Sequence, residues 1–113
     1  MEREEAIQII KAARAKGEAP NFRRANLSGV DLSQTDLYRA DLSEADLSEI
    51  NLSKANLGEA DLGESDLRQA NLSGANLHRA NLILANLRGA NLRGAILSEA
   101  NLGHAALVEV INE

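Results

Sequence analysis

At 113 residues the chain has the length of one domain, and a conventional globular core of that size would be modest. It contains no Cys, which excludes a disulfide framework and a thiolate zinc site. A net charge of −5 and only two aromatic residues, Phe22 and Tyr38, argue against a nucleic-acid surface, which needs cations and stacking platforms.

In chain order, residues 2–16 read as a helix. Glu2, Glu4 and Glu5 suit its positive N-terminal end, Lys11, Arg14 and Lys16 suit its negative C-terminal end, and Gly17 stops it. Ala6, Ile9, Ile10 and Ala13 share one face with Ile7 at its shoulder, so this face is expected to cover the start of whatever follows near Phe22. A membrane-surface helix is the competing reading, disfavoured by the mixed charge and short apolar residues. The segment lacks an apolar run long enough for a signal core or a membrane span, and the expected location is cytoplasmic with no membrane partner.

From Pro20 to Glu109 the chain divides into 18 five-residue units without an insertion. The middle residue is Leu in every unit but the first, where it is Phe22. Two places earlier stands Ala in 13 units, and Asn or Asp precedes the central residue in 16, the exceptions being Ile96 and Ala106. On an α-helix a period of five would step Leu around the surface by about 140°. On a continuous strand it would send alternate Leu residues to opposite faces. The chain must therefore turn within each unit, with Leu and the small residue pointing inward and the other three outward. Asn and Asp suit such turns because their side chains bond nearby backbone, and Gly29, Gly74, Gly89 and Gly94 ease the same bend. Val30 with Ile50, Glu44 with Glu64, and Arg68 with Arg88 recur at a spacing of 20, which suggests four units to a turn.

The run ANLSGANLHRANLILANLRGANLRGA, residues 70–95, resembles the pentapeptide-repeat family, and the likeness covers 90 of the 113 residues. It implies an all-β solenoid, a right-handed quadrilateral β-helix of about four and a half coils, with the N-terminal segment as a capping α-helix. At about 4.8 Å per coil the rod would be roughly 22 Å long. The division expected is 1–19 capping helix and linker, 20–109 repeat β-helix, and 110–113 C-terminal tail. The best-known members of that family protect or inhibit DNA gyrase by resembling duplex DNA, a property that fold likeness alone does not transfer.

Function is expected on the outer surface. Ten carboxylates lie between Asp31 and Asp66 against Arg39 and Lys54, whereas Leu67 to Gly94 holds four arginines and no acid. Folded four units to a coil, Asp41, Glu44, Asp46, Glu49, Asp61, Glu64 and Asp66 fall on two adjoining sides, a candidate acidic docking patch for a basic protein partner. The alternative is simple solvation, with the Asp residues holding turns. Calcium binding by stacked Asp41 and Asp61 or Asp46 and Asp66 is disfavoured for want of a calcium-loop spacing. Ile83 and Leu84 place two large aliphatics at both outward turn positions of one unit. With Val108, Val110 and Ile111 they form a candidate self-association surface, either covered by the tail or paired in a homodimer. His78 and His104 fall on different sides, so neither a two-His metal site nor a Ser, His, acid triad is expected. No catalytic, cofactor or metal residue is assigned. The reading is a non-catalytic interaction or scaffold module with no direct nucleic-acid contact; the alternative is a DNA-mimicking regulator of DNA gyrase or another DNA-binding protein. Outward residues such as Glu59 are expected to tolerate replacement.

Overall fold

The computed structural model describes residues 1–112. It opens with α1, Arg3–Ala15, one residue shorter at each end than the sequence suggests. The Glu5 carboxylate accepts from the Glu2 N–H at 3.3 Å, and Gly17 leaves the helix at φ +71°. That left-handed conformation has little steric cost only for glycine.

From Asn21 onward each unit makes one corner. Every bridge is parallel and joins residues 20 apart, so four units complete one turn. Pairing is confined to single-residue bridges because the chain bends within two residues of each. Leu62 shows the bonding that repeats along the solenoid: its N–H donates to Asn81 O one coil on at 2.7 Å, and its carbonyl accepts from Ser65 N–H at 3.2 Å to close the turn. The preceding residue points the other way, Asp61 N–H donating to Ala40 O at 2.9 Å.

The repeat chemistry explains the bend. In all 16 units that carry Asn or Asp before the central residue, its Oδ1 accepts the N–H two residues on. The fifth residue of every unit has positive φ, whether glycine, as at Gly74 (φ +68°), or not, as at Leu84 (φ +60°). Each non-glycine residue held there costs about 1–2 kcal/mol, so the ladder must outweigh repeated local strain.

Inside, Phe22 and the central leucines from Leu27 to Leu87 are at most 2 % exposed, and most of the small residues beside them are equally buried. Ala6 and Ile10 of α1 join this core, with Ile7 and Ile9 packed against it. The same segment supplies donors to the first coil. Elsewhere the carbonyl of each Asn or Asp accepts from the coil before it. In the first coil the Met1 amino group donates to Asn26 O at 2.9 Å, Arg3 Nε to Asp31 O at 3.1 Å, and Arg14 to Asp36 O at 3.2 Å and Tyr38 O at 2.8 Å. The amino group of Met1 and two arginine side chains thus take the place of a preceding ladder.

Val110 and Ile111 differ from the separate tail expected over 110–113, of which Glu113 lies outside the described residues. Ile111 bridges Asn91, its carbonyl accepts from Leu92 N–H at 2.6 Å, and Val110 packs on the core. Two residues of the tail therefore extend the coil, because they still meet unpaired backbone below. Burial declines here: Leu97 and Leu102 are half-buried and Leu107 is 49 % exposed.

Candidate functional site

The register of 20 sorts the units into four sides. Side one carries the units that start at 20, 40, 60, 80 and 100; side two those at 25, 45, 65, 85 and 105; sides three and four follow. Asp41, Glu44, Asp61 and Glu64 stand on side one, and Asp46, Glu49 and Asp66 on side two, with Asp41 bridging Asp61 and Asp46 bridging Asp66. The seven acids are neighbours, but most are engaged. The Oδ1 atoms of Asp41 and Asp46 accept both the N–H and the hydroxyl of Ser43 and Ser48, the hydroxyls at 2.6 and 2.7 Å. Asp61 Oδ1 accepts from Gly63 N–H and Asn81 Nδ2, each at 3.0 Å. Asp66 is held by Arg68 at 2.9 and 2.6 Å, and that guanidinium keeps its carboxyl below the usual carboxylate range. Among the described residues no group of three or more His, Cys, Asp or Glu has a metal-holding arrangement.

A recurring contact accounts for much of the remaining charge. Each unit has two outward turn residues after its central Leu, and at three places the two from one coil close on the second turn residue of the next. Arg23 and Arg24 hold Glu44 at 2.7 and 3.4 Å. The Tyr38 hydroxyl donates to Glu59 at 2.8 Å and Arg39 Nε at 3.1 Å, while the guanidinium lies 5.4 Å from the Tyr38 ring centre. His78 and Arg79 meet Glu99 at 3.7 and 3.5 Å. In the second of these clamps the Tyr38 hydroxyl, then Arg39, pulls the Glu59 carboxyl below its ordinary value. Glu59 is therefore half-buried and bonded rather than the indifferent outward residue the repeat implies.

His78 Nδ1 also lies 2.7 Å from Ser98 Oγ. Ser98, His78 and Glu99 thus meet on side four, a contact that separating His78 from His104 overlooks. Ser98 and Glu99 are exposed, neither pocket described below includes them, and Arg79 shares the carboxylate. The contact is an exposed polar clamp on the surface of side four.

The apolar candidates do not form one surface. Ile83 and Leu84, 36 and 53 % exposed, stand on side one. Val108, 58 % exposed, stands on side two, Val110 is packed inward, and Ile111 is on side three beside Asn91. Val110 and Ile111 thus belong to the coil on side three, away from Ile83. Beside that residue a hollow of about 230 Å³ opens over Ser43 and Gly63, flanked by Arg23, Glu44, Asp61, Glu64 and Asn81. A second, of about 310 Å³, lies on side two between Ser48, Glu49, Arg68, Gln69 and Arg88. Both are shallow surface features.

The pentapeptide-repeats family model matches in eight copies over residues 21–58, 50–89 and 76–111. The chain is similar to the pentapeptide repeat protein Rfr23 of the cyanobacterium Cyanothece, at 42 % identity and TM-score 0.81, covering 83 % of this chain and 65 % of that one. It is similar to alr5209 of Nostoc at 32 % identity and TM-score 0.64, covering 95 % and 94 %. A pentapeptide repeat protein of the Arabidopsis thaliana thylakoid lumen matches at 34 % identity and TM-score 0.57, over 74 % of this chain and 62 % of that one. The chain thus spans less than two thirds of the Cyanothece and Arabidopsis proteins. No curated protein matches. No enzymatic family is indicated, the relatives being right-handed quadrilateral β-helices built of this repeat. With units that repeat every five residues, corners that pair every 20, and the family model matched from residue 21 to 111, the chain belongs to the pentapeptide-repeat family.

Proposed function

We propose that the chain is a non-catalytic interaction module, a solenoid of about four and a half coils closed at its start by α1, which presents side one to a protein partner. The observation that carries this reading is the pair Ile83 and Leu84. Two adjacent exposed aliphatics occupy turn positions that elsewhere hold mainly polar residues or glycine, and they border a hollow with acidic walls. The non-catalytic part is supported by membership of a family of structural repeats, no enzymatic family being indicated.

The DNA-mimic reading is weaker. Asp36, Glu44, Glu59, Asp66 and Glu99 each sit against a cation, which interrupts the negative run. Dose-dependent inhibition of gyrase supercoiling, abolished by charge reversal at Glu44, Asp46 and Glu64, is the result that reverses this ranking. A homodimer through side one is the competing occupant, left with only Ile83 and Leu84 once Val108 and Ile111 lie on other sides. Light scattering across a concentration series tests it: a dimer lost in Ile83→Ser with Leu84→Ser identifies a second copy as the partner.

Affinity capture from the source cell tests the module reading itself. The same double variant should lose a partner that the native chain retains, and Arg93→Ser on side three should keep it. Equal retention by both variants removes side one from the proposal.

A further inference from the structure

Of the six glutamates at the second turn position three are clamped, whereas Glu49, Glu64 and Glu109 have no ion pair among the described residues. Glu44, Glu59 and Glu99 are each gripped from the preceding coil by a first turn residue reaching diagonally (Arg23, Tyr38, His78) and an arginine reaching straight along the rod (Arg24, Arg39, Arg79). Glu64 occupies the corresponding second turn position on side one, but the coil before it offers Ser43 and Glu44. Ser43 is too short to reach, its hydroxyl is given to Asp41, and Glu44 repels. Glu64 is exposed and has no ion pair among the described residues. Where the diagonal arm would lie, the structure has the hollow over Ser43 and Gly63.

The hollow is shallow, but its lining offers contacts for one long cationic side chain. Gly63 contributes no side chain to its floor, and Ile83 forms an apolar wall for a methylene stem. At the head end stand the Glu64 carboxylate and Asp61, whose hydrogen bonds use only Oδ1. Arg23 reaches the same hollow but is committed to Glu44 at 2.7 Å. Glu49, also without an ion pair among the described residues, is different: Arg68 and Arg88 of the chain itself line its hollow.

We propose that this vacant arm is filled in trans by an arginine of the protein partner, its guanidinium on Glu64 and its stem along Ile83. The inference rests on the interaction-module reading and names the chemistry of the partner's anchor. Arginine fits better than lysine because its planar fork can address two carboxylates at once, and arginine contributes to every internal clamp.

The test is an NMR titration of the ¹⁵N-labelled full chain at low salt, with the peptide acetyl-Leu-Arg-Leu-amide as probe. Saturable shifts are expected at the Gly63, Glu64 and Ile83 amides. The citrulline peptide, equal in shape but uncharged, should leave them unmoved. Glu64→Gln should weaken binding roughly two- to five-fold, the range of an exposed charge pair. Ser43→Arg should supply the arm internally, abolish the peptide shifts and give nuclear Overhauser contacts between the introduced side chain and Glu64. Absence of saturable shifts overturns the proposal, as do shifts centred around Glu49 or shifts that Glu64→Gln and citrulline leave intact. Failure here alongside a partner lost in Ile83→Ser with Leu84→Ser rejects the arginine seat and keeps the module. Peptide binding at Glu64 with no partner captured does the reverse.

Discussion

Replacing Leu62 with Ala tests the inward ladder at its middle. Leu62 is fully buried, and so are Leu42 and Leu82, its counterparts one coil to either side. Its neighbours cannot close over the lost methyl groups, because coil spacing is set by backbone bonds on both sides, Leu42 N–H to Asp61 O and Leu62 N–H to Asn81 O, each 2.7 Å. Leu→Ala in cores costs about 2–5 kcal/mol, more where the site collapses least, so a loss of about 3–5 kcal/mol is expected. Leu107→Ala, at a position 49 % exposed, should cost about 1 kcal/mol or less. Urea unfolding reads both as shifts in midpoint at unchanged slope. Equal shifts for the two variants would refute the claim that burial within the stacked coils decides stability.

Further outcomes follow from the local chemistry. Arg14→Ala should destabilise the protein by about 1–3 kcal/mol in the same unfolding assay by withdrawing the donors to Asp36 O and Tyr38 O. Because the Glu59 carboxyl is depressed in the folded chain, its clamp stabilises above the ordinary carboxylate range and is lost as pH falls through the lowered value. Tyr38→Phe should therefore lower the melting temperature at pH 7, with the gap from the native chain closing in acid. Ile96→Asn should restore the missing side-chain bond to the Ser98 N–H and raise stability by about 1 kcal/mol, read from thermal melts. Leu84→Gly should remove strain at φ +60° and leave stability unchanged or raised by up to about 1 kcal/mol, since glycine's chain entropy opposes the gain.

How much of this was legible in the sequence depends on the range of the interaction. The Leu and Ala positions and the Asn or Asp turn bonds all act within one five-residue unit, so the repeat displays them directly. The pairing of coils left a fainter trace in matches such as Val30 with Ile50, because side chains 20 apart are neighbours without being constrained to be alike. The clamps were hidden. Tyr38 with Glu59 is a diagonal contact 21 residues apart, visible only once the register and the direction of both side chains are known. The apolar face of α1 was readable from its spacing, but the carbonyls that Arg3 and Arg14 would find were not, since they belong to backbone whose ladder partner is missing. The pairing of Ile111 was not legible because Ile111 and Asn112 abandon the Asn–Leu pattern, while the backbone pairing is kept and residue type does not report it.

The central claim is that side one meets a protein partner. Its most direct measurement places a photo-crosslinking amino acid at position 84 on side one or at position 94 on side three, with irradiation in the source cell and mass spectrometry of the adducts. A discrete adduct with another protein from position 84 and none from position 94 is the expected result. Equal adducts from both positions, or adducts from position 84 only with a second copy of the chain, would contradict it.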